Sequence, residues 1–362
     1  MKHTLTVVPL GPGDPALLTL RAADLLRSGI PVVFRTSHHP VAAWLTEQGF
    51  PFSSLDALYE SAEDFDAMNH AMVQSLLERV RHGDLLYAVP DPLSDRSVSL
   101  LLREAAKKAD VRVLPGVSLV DTGLAACRGQ LDQSPYQTVS AADFSAFPWN
   151  PSLPLLITEL DSQLLAGEVK LKLNEMLEDQ TSVFLLPPSG GAAPVPLSIP
   201  LWELDRRKRY DQTVSLLVPG LDYLHRRRFR FEDLVEIMSR LRGRDGCPWD
   251  ADQTHLSLRP YLVEEAWEAV DAIDHEDMDH LADELGDVLL QVVFHASIGA
   301  SFDEFTCTDV MTNICRKMMQ RHPQLFQEAA VLPDSLREPG QSLTWEEMKQ
   351  RETGIRLIIF FR

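Results

Sequence analysis

Hydrophobic positions follow two different periods along the chain. From residue 1 to about 220, short apolar runs (TLTVVPL, IPVVF, DLLYAV, VRVLPG, LPLLITEL, TSVFLLP, VSLLVP) alternate with amphipathic stretches such as LLTLRAADLLRSG. Apolar runs of strand length bounded by turn residues predict β-strands, and their alternation with helices predicts an α/β domain. Strand signals stop after Pro219 and Gly220 and the basic, aromatic link LHRRRFRFEDL. Beyond it, FEDLVEIMSRLRG, PYLVEEAWEAVDAID, MDHLADELGDVLLQVVFHASIG and TDVMTNICRKMMQRH carry apolar positions three and four residues apart. They predict an all-α domain with GRDGCPWDADQTHLSLR as a loop and Pro260 in the first turn of its helix. The expected organisation is an α/β domain over 1–222, a linker over 223–230, an all-α bundle domain over 231–352 and an atypical tail over 353–362.

A length of 362 residues supports two cores better than one. With 45% hydrophobic and 24% charged residues, the composition is that of a globular protein and excludes a disordered or fibrous chain. The net charge of -19 argues against a nucleic-acid polymer as partner, because such binders present a basic face. Cys127, Cys247, Cys307 and Cys315 form neither a CxxC pair nor a dense framework, so reduced thiols and a cytoplasmic location are expected. No signal peptide opens the chain, and no apolar run reaches the roughly 20 residues that span a bilayer, so no membrane partner is expected.

Charge is distributed unevenly. The window 260–315 holds fourteen Asp and Glu and no Lys or Arg, where an ordinary solvated helix mixes its charges. Glu265 and Glu268 are three residues apart, as are Glu284 and Asp287, so each pair shares a helix face. If DHEDMDH turns the chain near residue 276, an antiparallel hairpin aligns all four, in two layers about 4.5 Å apart along the helix axes. Facing carboxylates repel unless protonated or bridged by cations, and oxygen-only ligands favour hard cations, Mg²⁺ among them. The neighbours Leu262, Val263, Trp267, Leu285, Val288 and Leu289 predict that these faces border a core. The competing expectation is a solvated acidic face. Cys247, with no second Cys or His at ligand spacing, does not read as a zinc site.

EEAWE followed by ELGD resembles the EExxE and ExxD signature of MazG-type nucleoside triphosphate pyrophosphohydrolases, and GCPWDADQTHLSLRPYLVEEAWE and RKMMQRHPQLF are similar to its flanking motifs over about 230–350. The resemblance implies Mg²⁺-dependent hydrolysis of nucleoside triphosphates to the monophosphate and pyrophosphate. It implies Glu265, Glu268, Glu284 and Asp287 as metal ligands, with Glu264 orienting a ligand or water. Lys317 and Arg321, four apart, match the family's basic pair for phosphates. Trp345 and Lys349 match a segment that stacks a base and contacts phosphate, with a core Trp and a surface Lys as the alternative. His255 and His322 lie in family-like segments and receive no role. A MazG-like hairpin also implies a homodimer or higher homo-oligomer, because a partner completes the four-helix bundle.

LGPGDPALLTLRAADLL places a Gly-Pro-Gly-Asp turn between strand and helix. With YAVPDPLSD, VLPGVS and LPLLITELDS it resembles the tetrapyrrole methylase fold over about 1–220, a family that binds S-adenosylmethionine between two α/β lobes. The match implies that Gly11, Gly13, Asp14, Pro90 and Asp91 line the cofactor cleft. VPDPLSD stands where related chains carry a Gly-containing loop, and a methylase-like scaffold without methyl transfer is the alternative. Joined to a MazG domain, this is the arrangement of YabN-like proteins, which the whole chain resembles. Chains of this type commonly continue into a second MazG-like segment. Here RETGIRLIIFFR ends the chain, which reads as a truncated or frame-shifted end. Three readings therefore stand: a nucleotide pyrophosphohydrolase, a methyltransferase with a helical appendage, and a non-catalytic binding protein.

Overall fold

The computed structural model describes residues 3–61, 64–105, 109–131, 135–188 and 194–326, so Trp345, Lys349 and the 353–362 tail lie outside the described residues. The chain divides into two compact units, Met1–Arg228 and Phe229–Arg362.

In the first unit the apolar runs form two sheets. The first holds β1 (Thr4–Pro9), β2 (Val32–Phe34), β3 (Ser53–Ser54), β4 (Leu85–Val89) and β5 (Asp110–Val113) in the order β3-β2-β4-β1-β5, with every pairing parallel. Its central strand β4 is buried at every position, as a strand covered on both faces must be. Between the strands run α1 (Leu20–Leu26), α2 (Pro40–Glu47), α3 (Asp56–Ser61), α4 (Phe65–Arg79) and α5 (Arg96–Glu104). Alternate residues of β1 and β4 feed two separate clusters, Leu5, Val7 and Tyr87 with Met72 and Leu76, and Val8 and Ala88 with Val41 and Leu45.

Helix α6 (Leu119–Ala126) leads into the second sheet. Here β6 (Gln137–Ser140), β7 (Leu155–Thr158), β8 (Ser182–Leu186), β9 (Leu197–Pro200) and β10 (Ser215–Val218) lie in the order β6-β7-β10-β8-β9, with α7 (Gln163–Asn174) following β7. The β6–β7 pair is parallel and the other pairs are antiparallel. Strands β3, β6 and β9, absent from the hydrophobic pattern, are all at sheet edges, where short polar strands are tolerated. Arg226, only 8% exposed, donates to Leu221 O and Ser152 Oγ and lies over the Tyr223 ring, while the Arg227 amide donates to Met176 O. The basic run is thus pinned to this unit up to Arg227 by ordinary structural bonds.

The second unit is helical: α8 (Phe231–Leu241), α9 (Pro248–Ala251), α10 (His255–Asp274), α11 (Met278–Ser301), α12 (Cys307–Arg321) and α13 (Pro323–Phe326). Helix α10 starts earlier than the pattern predicts, because Thr254 and Ser257 form a reciprocal capping box. Pro260 consequently lies inside the helix, where its missing N–H removes one i→i−4 hydrogen bond. Helices α10 and α11 form an antiparallel hairpin whose turn passes through Glu276 at φ 56. The small core of Met238, Leu258, Val293, Phe294 and Ile298 sits at the end of the hairpin away from that turn. Near the turn the core predicted from the neighbouring apolar residues is not found among the described residues. Leu262, Val263, Trp267, Leu285 and Leu289 are exposed, Trp267 by 67%, since a two-helix hairpin covers only its inner face. All four cysteines are unpaired thiols. No helix among the described residues is long and apolar enough to cross a membrane.

One buried histidine fixes the turn after β1. Gly11 and Gly13 adopt φ 71 and φ 111, and a Cβ on either would lie 3.0 Å from Val117 O or Pro40 Cγ. His39, 1% exposed, bonds Gly11 O through Nε2 at 3.0 Å, and its Nδ1 accepts the Val41 amide at 3.3 Å. That arrangement requires the neutral ring protonated on Nε2. Burial lowers its pKa to about 4, against the raising effect of the Gly11 carbonyl. A lowered folded pKa means that the stabilisation is fully present above the ordinary histidine value and is lost as pH falls from about 6.5 towards 4. Urea unfolding at stepped pH is expected to show a loss on the order of 3 kcal/mol across that window. The His39→Gln variant is expected to lack it, and the difference between the two profiles isolates His39.

Candidate active site: carboxylates on the helical hairpin

The hairpin turn is built by its ends. His275 caps α10 with its amide on Asp271 O and Ile273 O, and Asp277 caps α11 by accepting the His280 amide at 3.1 Å. From this turn Glu268 and Glu284 are eight residues away, and Glu265 and Asp287 eleven. The antiparallel packing brings carboxylate oxygens of Glu265, Glu268 and Glu284 within 4.8 Å of one another. Asp287 is outside that set of three, yet among the charges acting on Glu265 it has the largest effect. The Glu265 pKa is raised first by burial, then by Asp287, Glu268, Glu284 and Glu264. Glu264 is exposed beside the cluster.

Glu284 is the best-held member. It is 9% exposed, and its Oε1 is 2.8 Å from His280 Nε2, one turn earlier on α11. Its other oxygen, Oε2, is buried and has no hydrogen-bond partner among the described residues. His280 was legible as the i, i+4 spacing HLADE, but the carboxylate count drew no attention to it. An oxygen-only set with one orphaned buried carboxylate oxygen suits a hard divalent cation, which would satisfy that oxygen and relieve the repulsion. Lys317 and Arg321 are one turn apart on α12, which packs against α11.

The first unit has a cavity of about 350 Å³, lined by Pro12, Asp14 and Leu17 at and after the Gly-Pro-Gly-Asp turn, by α6, by Leu186 and Ser215 of the second sheet, and by Thr213 just before β10. Of the five cleft residues the sequence pointed to, Asp14 lines this cavity. Gly11, Gly13, Pro90 and Asp91 do not, although Gly11 and Gly13 shape the turn that does. Asp91 accepts the Leu93 amide at 2.9 Å and lies near Glu159, a residue that the sequence reading passed over. Glu159 adopts φ 61, unusual for a residue with a side chain, and its carboxyl accepts from Ser94 Oγ at 3.2 Å. Burial raises its pKa to about 6. The Ser94 bond opposes that rise, Asp91 and Asp95 add to it, and Arg35 lowers it.

Residues 253–326 match the model of the MazG nucleotide pyrophosphohydrolase domain, and residues 4–166 match that of the tetrapyrrole (corrin/porphyrin) methylases. The helical part is 46% identical over 125 residues to the nucleoside triphosphate pyrophosphohydrolase/pyrophosphatase MazG of Thermotoga maritima, and 39% identical over 124 residues to the nucleoside triphosphate pyrophosphohydrolase of Escherichia coli. Each alignment covers 34% of this chain and 46% of the relative, so the chain spans less than half the length of either. The uncharacterized protein YabN of Bacillus subtilis is 35% identical over 356 residues, 97% of this chain and 72% of that protein. Two sheets with a methylase pattern, an acidic helical hairpin and that near full-length identity place the chain in the YabN family, in which a tetrapyrrole methylase domain is joined to a MazG domain.

Proposed function

We propose that the helical unit hydrolyses nucleoside triphosphates to the monophosphate and pyrophosphate with Mg²⁺, in the cytoplasm. The observation that carries this reading is the carboxylate cluster, three oxygens within 4.8 Å with Glu284 Oε2 unpartnered. Glu265, Glu268, Glu284 and Asp287 would hold the cation. When bound, it neutralises phosphate charge and makes the attacking water more acidic. His280 fixes the Glu284 carboxylate, and exposed Glu264 would orient a ligand or water. Lys317 and Arg321 would take the outer phosphates. The water oxygen bonds to the α-phosphorus, the bond from that phosphorus to the α,β-bridging oxygen breaks, and pyrophosphate leaves with release of a proton. Trp345 and Lys349 are proposed from the family match alone as base and phosphate contacts.

The exposed apolar side chains Leu262, Trp267, Leu285 and Leu289 support a homodimer, whose second hairpin would complete a four-helix bundle. The cavity in the first unit favours a second activity, binding of S-adenosylmethionine as methyl donor. Its size is that of a small-molecule site, and Asp14, Thr122, Thr213 and Ser215 supply the few polar groups in an otherwise apolar lining.

Pyrophosphate release from a panel of nucleoside triphosphates is expected with Mg²⁺ and not with EDTA, and Glu268→Ala is expected to lower it by roughly a hundredfold or more. Absence of release from the folded native chain removes the hydrolase reading. Light scattering is expected to give a dimer mass for the native chain and a monomer mass for Trp267→Asp. Equilibrium dialysis is expected to show S-adenosylmethionine bound by the native chain and lost in Thr122→Phe, which fills the cavity. Absence of binding by the folded native chain would remove the methyl-donor reading, and equal binding by both would remove this cavity as its site.

A further inference from the structure

The hairpin carries a third layer beyond its two layers of carboxylates. Four residues further from the turn than Glu265 on α10 is Tyr261, and four further than Asp287 on α11 is Gln291. At about 100° per residue, Gln291 is rotated only about 20° from Glu284 and about 40° from Asp287, and Tyr261 stands in the same relation to Glu268 and Glu265. Both therefore lie on the carboxylate-bearing faces, about 6 Å along the axis from the nearer layer.

Their environments differ in a useful way. Gln291 is 6% exposed, and its Oε1 is buried without a hydrogen-bond partner among the described residues. A buried amide oxygen left unpaired is costly, and it is a strong acceptor for any donor that reaches it. Tyr261 is 42% exposed, a flat aromatic surface in the same layer. One side of the carboxylates thus ends at the acidic turn, Asp274 to Asp279, and the other offers an aromatic ring and an unmet acceptor.

We propose that Tyr261 and Gln291 form the nucleoside subsite of the helical unit. Tyr261 packs against the base or sugar, and Gln291 Oε1 accepts from a donor of the nucleoside, an exocyclic amine of the base or a sugar hydroxyl. The assignment rests on the nucleotide reading of the carboxylate cluster. Its geometry fits because a phosphate held at the carboxylates would place the nucleoside within the next turn or two of helix, and the turn end is predominantly acidic, with Asp274, Glu276, Asp277 and Asp279.

Calorimetric titration with α,β-methylene analogues, in the presence of Mg²⁺, tests binding without hydrolysis. The Gln291→Met variant is expected to bind the ATP analogue about tenfold or more weakly than the native chain. Its melting temperature is expected not to fall, because an unpartnered buried amide is removed. If the donor is the base amine, the inosine analogue binds the native chain weakly and loses nothing further in Gln291→Met. If it is a sugar hydroxyl, the dideoxy analogue behaves that way instead. Tyr261→Ala is expected to weaken every analogue and Tyr261→Phe to restore binding. Unchanged affinities in Gln291→Met or in Tyr261→Ala overturn the subsite, as does the absence of any binding to the folded native chain. Pyrophosphate release is scored separately: discrimination without release keeps the subsite and removes the hydrolase reading, and release with unchanged affinities does the reverse.

Discussion

Carboxylates forced together by backbone geometry repel, and the helical unit is organised around that repulsion. The register of α10 and α11 brings Glu265, Glu268 and Glu284 within 4.8 Å of one another and sets Asp287 where its charge acts on Glu265. The protein supplies partial relief through His280 and leaves one Glu284 oxygen unmet. On the proposed reading a cation would relieve this repulsion, and a triphosphate would complete its ligand set. Stability and function draw on the same electrostatic deficit.

The same constraint explains where the core is. The apolar cluster around Phe294 and Ile298 lies at the far end of the hairpin, because the turn end is occupied by charge. Apolar residues near the carboxylates are exposed, and in the proposed dimer a partner hairpin would cover them. In the first unit the division is different. Continuous buried strands such as β4 and β10 provide a self-sufficient scaffold, and left-handed backbone occurs in the turns that leave the strands, at Gly11, Gly13 and Glu159 among others.

Much of this was legible in the sequence because it rests on period. Central strands announced themselves as apolar runs, helices as three- and four-residue repeats, and the hairpin as paired spacings about residue 276. The edge strands β3, β6 and β9 were not legible, since their stability comes from pairing with a neighbour and their own residues are polar. The start of α10 was hidden because a capping box at Thr254 outweighs the expectation raised by Pro260. Trp267 and Leu285 were read as core because a pattern shows which face is apolar and not what covers it. His39 and His280 were passed over because single histidines carry no spacing signal until the fold supplies Gly11 O and Glu284 as partners.

The left-handed Glu276 and the few residues around it look like disposable polar connector. They act as a ruler. Each residue inserted there would advance one helix by about 1.5 Å and turn it by about 100° relative to the other, carrying Glu284 and Asp287 off the face that meets Glu265 and Glu268. In this architecture the chemistry is written as much in the length of a loop as in the identity of the acids it aligns.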